Sequence, residues 1–204
     1  MFRTLDKLQA VKKIRSAVAD AIRVITLTGA RRGEVTGLRW RHVDLAKGTL
    51  TLLATEHKSG RATGDDRVIG LPTLAVAIID RQPKRSPNDY VFAPARGEGR
   101  IDLSKPWRTV RTHAELPDGI GLHGLRHSLA SHMAMERATA PEIQQILGHR
   151  DIATSTRYTH WAKDQHQALA EKAAGGVSAA MREASGEPVQ NNDAVCQDGA
   201  KADD

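Results

Sequence analysis

Apolar residues recur three or four apart from Leu5 through Leu8, Val11, Ile14, Val18 and Ile22 to Ile25. That period puts one helical face on a core and predicts a helix over residues 4–27. Thr28-Gly29 interrupts it, and a second, short helix is expected from Gly33-Glu34 to Trp40. The period then changes. Thr49–Ala54 and Arg67–Leu71 read as β-strands around the glycine-containing turn of KSGRATGDD, and Pro72 closes the hairpin. Helical spacing returns over 73–81, Tyr90-Val91-Phe92 looks like a strand, and helices are expected at 104–115 and 122–137. Thr139, Pro141 and Glu142 mark another helix start, with Thr139 capping, Glu142 returning the bond and Pro141 tolerated in the first turn. Gly148 is its stop. Residues 151–172 read as one or two further helices. The rest is small, polar and aperiodic, and is expected to be disordered beyond about residue 184. The fold class is therefore mostly α with a small antiparallel β-sheet (α+β), over a domain of residues 1–172 and an acidic tail of 173–204.

Aromatics make up only 3% of the chain, so the core is built from Leu, Ile, Val and Ala. The lone Cys196 excludes a disulfide within the chain and a cysteine-rich zinc site, which fits a reducing cytoplasm. No apolar run is long enough to span a membrane, and the N-terminus shows no signal-peptide pattern. A soluble, cytoplasmic protein is expected. The formal net charge is +6, but two of the 30 basic and six of the 24 acidic side chains lie beyond residue 172. Residues 1–172 thus hold 28 basic against 18 acidic side chains, a net +10. A surplus of that size fits either a solvated basic surface or a polyanionic partner. Scarce aromatics argue against base stacking on single strands, so Arg and Lys contacts to duplex phosphates are the better expectation.

Three clusters carry candidate chemistry: TGARRGE at 28–34, HGLRH at 123–127 and LGHRDIATSTRYTH at 147–160. Taken singly each has a plain reading. Arg31 and Arg32 suit a solvated basic pair, and Tyr158 suits a half-buried tyrosine. His123 and His127 have zinc-ligand spacing, but the metalloprotease motif needs Glu where Gly124 stands. His127 and His132 read as structural. Taken together, in this order, with 23 residues from Arg126 to His149 and 9 from His149 to Tyr158, the set is specific. Over roughly residues 20–165 the chain resembles the tyrosine recombinases, the phage integrase family. Arg31 matches the first arginine of that family's signature, followed by Glu34; Lys58, in HKSG, matches its β-turn lysine. His123 and Arg126 match the His-x-x-Arg box, His149 the third-box histidine, and Tyr158 the nucleophile.

The resemblance implies a catalytic domain that cleaves and rejoins double-stranded DNA through a 3′-phosphotyrosyl link. Attack on a phosphodiester builds charge on the non-bridging oxygens, which two guanidiniums can clamp with paired hydrogen bonds. Arg31 and Arg126 would then do what Mg²⁺ does elsewhere, and no cofactor or metal is expected. A tyrosine hydroxyl has a pKa near 10 and needs a base or a positive field, and His123 stands in the box for the first role. Lys58 would protonate the leaving 5′ oxygen, and His149 would hydrogen-bond the phosphate. Glu34 would support Arg31 through a buried charge-assisted bond. The resemblance also implies a homo-oligomer, a tetramer on paired sites when full-length, with the segment from Trp161 docking as a helix on the body or a neighbour. The family's N-terminal DNA-binding domain is expected to be absent. Two other readings stay open: a type IB topoisomerase-like relaxation activity, and a silent DNA-binding remnant of a mobile element.

Overall fold

The computed structural model describes residues 1–57, 60–84 and 86–159. Two helices open the chain, α1 (Phe2–Ala10) and α2 (Ser16–Thr28). The unbroken apolar period predicts one helix there, but the chain breaks at Lys12, whose φ is 57°. Lys13 N reaches back to Leu8 O at 2.9 Å, so the turn closes the orphan carbonyls of α1. The break turns Ile14 into the core and leaves Val11, though in phase, 64% exposed. α2 is the central helix. It buries Val18, Ala21, Ile22 and Ile25 and packs against α1 and three later helices. Asp20, also buried on α2, accepts hydrogen bonds from Arg23 (2.6 Å) and Gln82 (2.8 Å).

Gly29, with a φ of 62°, stops α2, and α3 (Arg32–Thr36) follows at once. It is shorter than the sequence suggests, because Gly37 ends it against Arg100 and Trp40 opens a separate 3₁₀ turn, Trp40–His42. β1 (Val43–Asp44), β2 (Thr49–Leu52) and β3 (Arg67–Gly70) form an antiparallel sheet in that order. Leu50 pairs with Ile69 and Leu52 with Arg67 on the buried face, while Thr51 and Val68 face outward. The expected hairpin is present, and β1 was not foreseen. The connection between its two long strands holds a 3₁₀ turn, Ala54–Glu56, and α4 (Gly60–Thr63). Buried His57 pins it, with Nδ1 accepting from Gly60 N at 3.0 Å and Nε2 donating to Asp65 O at 3.1 Å.

α5 (Thr73–Asp80) and α6 (Ser104–His113) flank the segment read as a third strand. That segment makes a single bridge, Tyr90 to Arg39, because prolines at 87 and 94 bound it; Val91 and Phe92 still reach the core. α7 (Leu122–Met135) lies against α2, and α8 (Ala140–Leu147) starts on the expected cap. Thr139 Oγ1 accepts from Glu142 N at 3.4 Å, and Glu142 returns a bond to Thr139 N at 2.6 Å. α9 (Ile152–Thr159) completes the described chain. A satellite apolar cluster of Ala130, Ala134, Ile143 and Leu147 joins α7 to α8, and Tyr158 of α9 packs on it. The Trp161 helix and the tail beyond residue 184 lie outside the described residues. The protein is mostly helical with one small antiparallel sheet.

Candidate active site

The last carbonyls of a helix have no partner within it and carry the negative end of its dipole. At the end of α8 two arginines take them. Arg31 Nη2 donates to Gly148 O at 3.2 Å, and Arg126 Nη2 donates to Leu147 O. Arg126 Nη1 also donates to Gly29 O at 2.7 Å, so one guanidinium ties the ends of α2 and α8 together. Two glycines make that approach possible. A Cβ on Gly29 would come within 2.4 Å of Leu147 Cδ2, and one on Gly148 within 2.6 Å of Arg67 Nη1. Both have positive φ, where other residues are strained.

Glu34, on the first turn of α3, orients Arg31. Its Oε2 accepts from Arg31 N at 2.8 Å and its Oε1 from Arg31 Nη1 at 2.9 Å. Arg32, beside it, is exposed and donates to Ser104 Oγ at 3.3 Å. Arg31 is thus the member of the pair built into the protein. A third guanidinium, which sequence reasoning missed, comes from β3. Arg67 is 8% exposed, and its Nη1 lies 3.4 Å from Glu34 Oε1. Two guanidiniums therefore flank one carboxylate, and Arg126 lies near enough to feel its charge. Burial first, then Arg67 and Arg31, pull the Arg126 pKa down to about 10, which leaves it charged at neutral pH.

Tyr158 faces this group from α9. Its hydroxyl is hydrogen-bonded to Nδ1 of His127, one turn beyond His123 on α7. His127 was read as structural; the structure places it against the Tyr158 hydroxyl. His127 follows His123 by four residues on α7, so the two lie on one face of the helix. The His123 and His127 rings meet edge to face at 4.7 Å, and His149 stacks near Tyr158 with ring centroids 6.4 Å apart. Partial burial raises the Tyr158 pKa; Arg126 and then Arg157 oppose it. Without DNA the phenol is therefore protonated.

Partial burial and the arginine charges drive the His149 pKa down to about 4. Neutral His149 is bonded through Nδ1 to Ser155 Oγ at 2.8 Å. Where the Ser155 hydroxyl donates that bond, the ring proton sits on Nε2. The His123 pKa is lowered as well, by desolvation first and then by His127, Arg126 and Arg31. His123, Arg31, Arg32, Arg126, Ser104 and Trp107 line an open cavity of roughly 460 Å³. Lys58 lies outside the described residues.

Two arginine forks, the imidazoles of His123, His127 and His149 and the Tyr158 hydroxyl are thus brought together around the end of α8. The profile described as "Phage integrase family" matches residues 3–165, and the chain belongs to that family. Tyrosine recombinase XerD of Pseudomonas aeruginosa is 27% identical over 159 residues, covering 72% of this chain and 51% of the relative. The chain thus spans about half the length of that curated relative. The catalytic domain of bacteriophage HP1 integrase is 28% identical, with a TM-score of 0.54 over 76% of this chain and 80% of that one. XerH site-specific recombinase bound to difH substrate, a pre-cleavage complex, is 25% identical, with a TM-score of 0.62 over 80% of this chain and 48% of that one.

Proposed function

We propose that this chain is the strand-cleaving part of a site-specific tyrosine recombinase and acts on double-stranded DNA without a metal. The observation that carries the reading is the Tyr158 hydroxyl, hydrogen-bonded to His127 within reach of Arg126's charge. Tyr158 Oη attacks the phosphorus, and its proton passes to His127 Nδ1. The bond to the 5′ oxygen breaks, Lys58 protonates that oxygen, and a 3′-phosphotyrosyl ester remains. Because the ester keeps the energy of the phosphodiester, a 5′ hydroxyl reverses the step without ATP. Arg31 and Arg126 clamp the non-bridging oxygens and stabilise the charge that develops there. His149 donates from Nε2 to the same phosphate, and His123, in the cavity lining, donates to it too. This moves the proton acceptor from His123 to His127, because a base must lie within hydrogen-bond reach of the proton it takes. The sites paired in recombination are held by a tetramer, as the family resemblance implies, and the protein works in the cytoplasm.

The test uses a pool of nicked duplexes of randomised sequence, incubated with the protein in excess EDTA and run on denaturing gels. The wild-type chain is expected to form a covalent adduct. Tyr158→Phe is expected to abolish it while DNA affinity stays nearly unchanged, since the hydroxyl adds little to phosphate binding. An adduct that survives Tyr158→Phe, or cleavage that needs Mg²⁺, would overturn the reading.

A further inference from the structure

Arg67 breaks the pattern of its own strand. β3 alternates buried and exposed positions, with Arg67 and Ile69 inward and Val68 outward. An inward position on a strand ordinarily holds an apolar residue. Here it holds a guanidinium 8% exposed, whose Nη1 and Nη2 have no hydrogen-bond partner among the described residues. Glu34 Oε1 is 3.4 Å away but not aligned for a bond, and that same oxygen accepts from Arg31 Nη1 at 2.9 Å. On the other side the group rests on Gly148, where any Cβ would lie 2.6 Å from Nη1. A buried cation with unmet donors is costly, and replacing such a group by an apolar one is often neutral or stabilising. Its presence therefore points to work rather than to stability.

We propose that Arg67 is a positioning residue of the phosphate site, a standing partner for Glu34 that frees Arg31 to engage the scissile phosphate. The proposal rests on the reading of the site given above. When Arg31 Nη1 turns to a non-bridging oxygen, Glu34 Oε1 would be left as a buried charge without its partner. A small shift of Oε1 toward Arg67 Nη1 closes that gap and satisfies a donor that is idle in the DNA-free form. Glu34 Oε2 keeps its hold on Arg31 N throughout, so the main chain of α3 does not move. The charge of Arg67 also acts on the neighbouring groups. It is a cause of the lowered pKa of both Arg126 and His149. With Arg31 and Arg126 it leaves the cluster at two net positive charges until a phosphate arrives.

Arg67→Met keeps the length of the side chain and removes the charge, and Arg67→Lys keeps the charge and removes the fork. Arg67→Met is expected to melt no lower than wild type, yet to form the covalent adduct about tenfold more slowly. That is short of the roughly hundredfold loss typical when a donor touching the reacting group is removed. NMR titration of the protein alone should show the His149 pKa rising in Arg67→Met and staying low in Arg67→Lys. Titration with inorganic phosphate in the same spectra should show weaker binding for Arg67→Met and near wild-type binding for Arg67→Lys. Should Arg67→Met melt well below wild type with an unmoved His149, or form adduct at the wild-type rate, Arg67 is only structural. If the wild-type chain itself forms no adduct, the parent reading fails instead; the His149 and phosphate titrations still judge Arg67.

Discussion

His123 and His127 stand four residues apart on α7 and meet different neighbours: one lines the cavity beside Arg31 and Arg126, the other holds the Tyr158 hydroxyl. Their variants should therefore fail differently. His127→Gln is expected to slow adduct formation by about 10²–10⁴-fold, the usual worth of a positioned proton acceptor. A 5′-bridging sulfur in the DNA, which leaves without protonation, should restore cleavage by Lys58→Ala but not by His127→Gln. Equal rescue of both would remove His127 from the role of base. His149 adds a prediction about pH. An unfolded histidine takes its proton near pH 6.5, whereas folded His149 takes it only near 4. Between those values the unfolded chain binds the extra proton, so stability falls as pH drops from 6.5 toward 4. Melting curves over that range should be flatter for His149→Gln than for wild type. Arg31, His123, Arg126, His149 and Tyr158 were each marked in the sequence by a short motif. Arg67 was not, because a lone arginine at a strand start reads as surface until the strand's inward phase is known.

At the scale of elements, the site hangs on how α8 begins and ends. Its start was legible, since Thr139 and Glu142 satisfy each other locally. Thr139→Ala is expected to cost about 1 kcal/mol of stability in chemical denaturation, with little effect on cleavage chemistry. Its end does more than the sequence suggests. Gly148 reads as a helix stop, yet its carbonyl holds Arg31 and its missing Cβ makes room for Arg67. Gly148→Ala should cost about 1–2 kcal/mol from the left-handed backbone alone. It should also slow adduct formation far more than Thr139→Ala, because the arginine cluster must shift; a stable variant with normal cleavage would contradict that geometry. The β2–β3 hairpin was legible from its change of period and its glycines. The break between α1 and α2 was not, because a non-glycine left-handed turn at Lys12 keeps the apolar phase on both sides.

For the whole molecule, charge and chemistry point the same way. Residues 1–172 carry a net +10, and the cluster at the end of α8 concentrates surplus positive charge at one place, three guanidiniums to one carboxylate. Binding to duplex DNA through phosphates should weaken steeply between roughly 50 and 200 mM salt, as counterion release requires. Affinity insensitive to salt would mean that phosphate contacts are not what holds the DNA. No helix among the described residues is long and apolar enough to cross a membrane. The central claim concerns one bond, so the most direct measurement locates it. The adduct formed in EDTA with the randomised nicked duplexes is digested with protease and nuclease, and the nucleotide-bearing peptide is sequenced by mass spectrometry. The account predicts a 3′-phosphotyrosyl ester on Tyr158; a nucleotide on Tyr90, on a serine or on a histidine would contradict it.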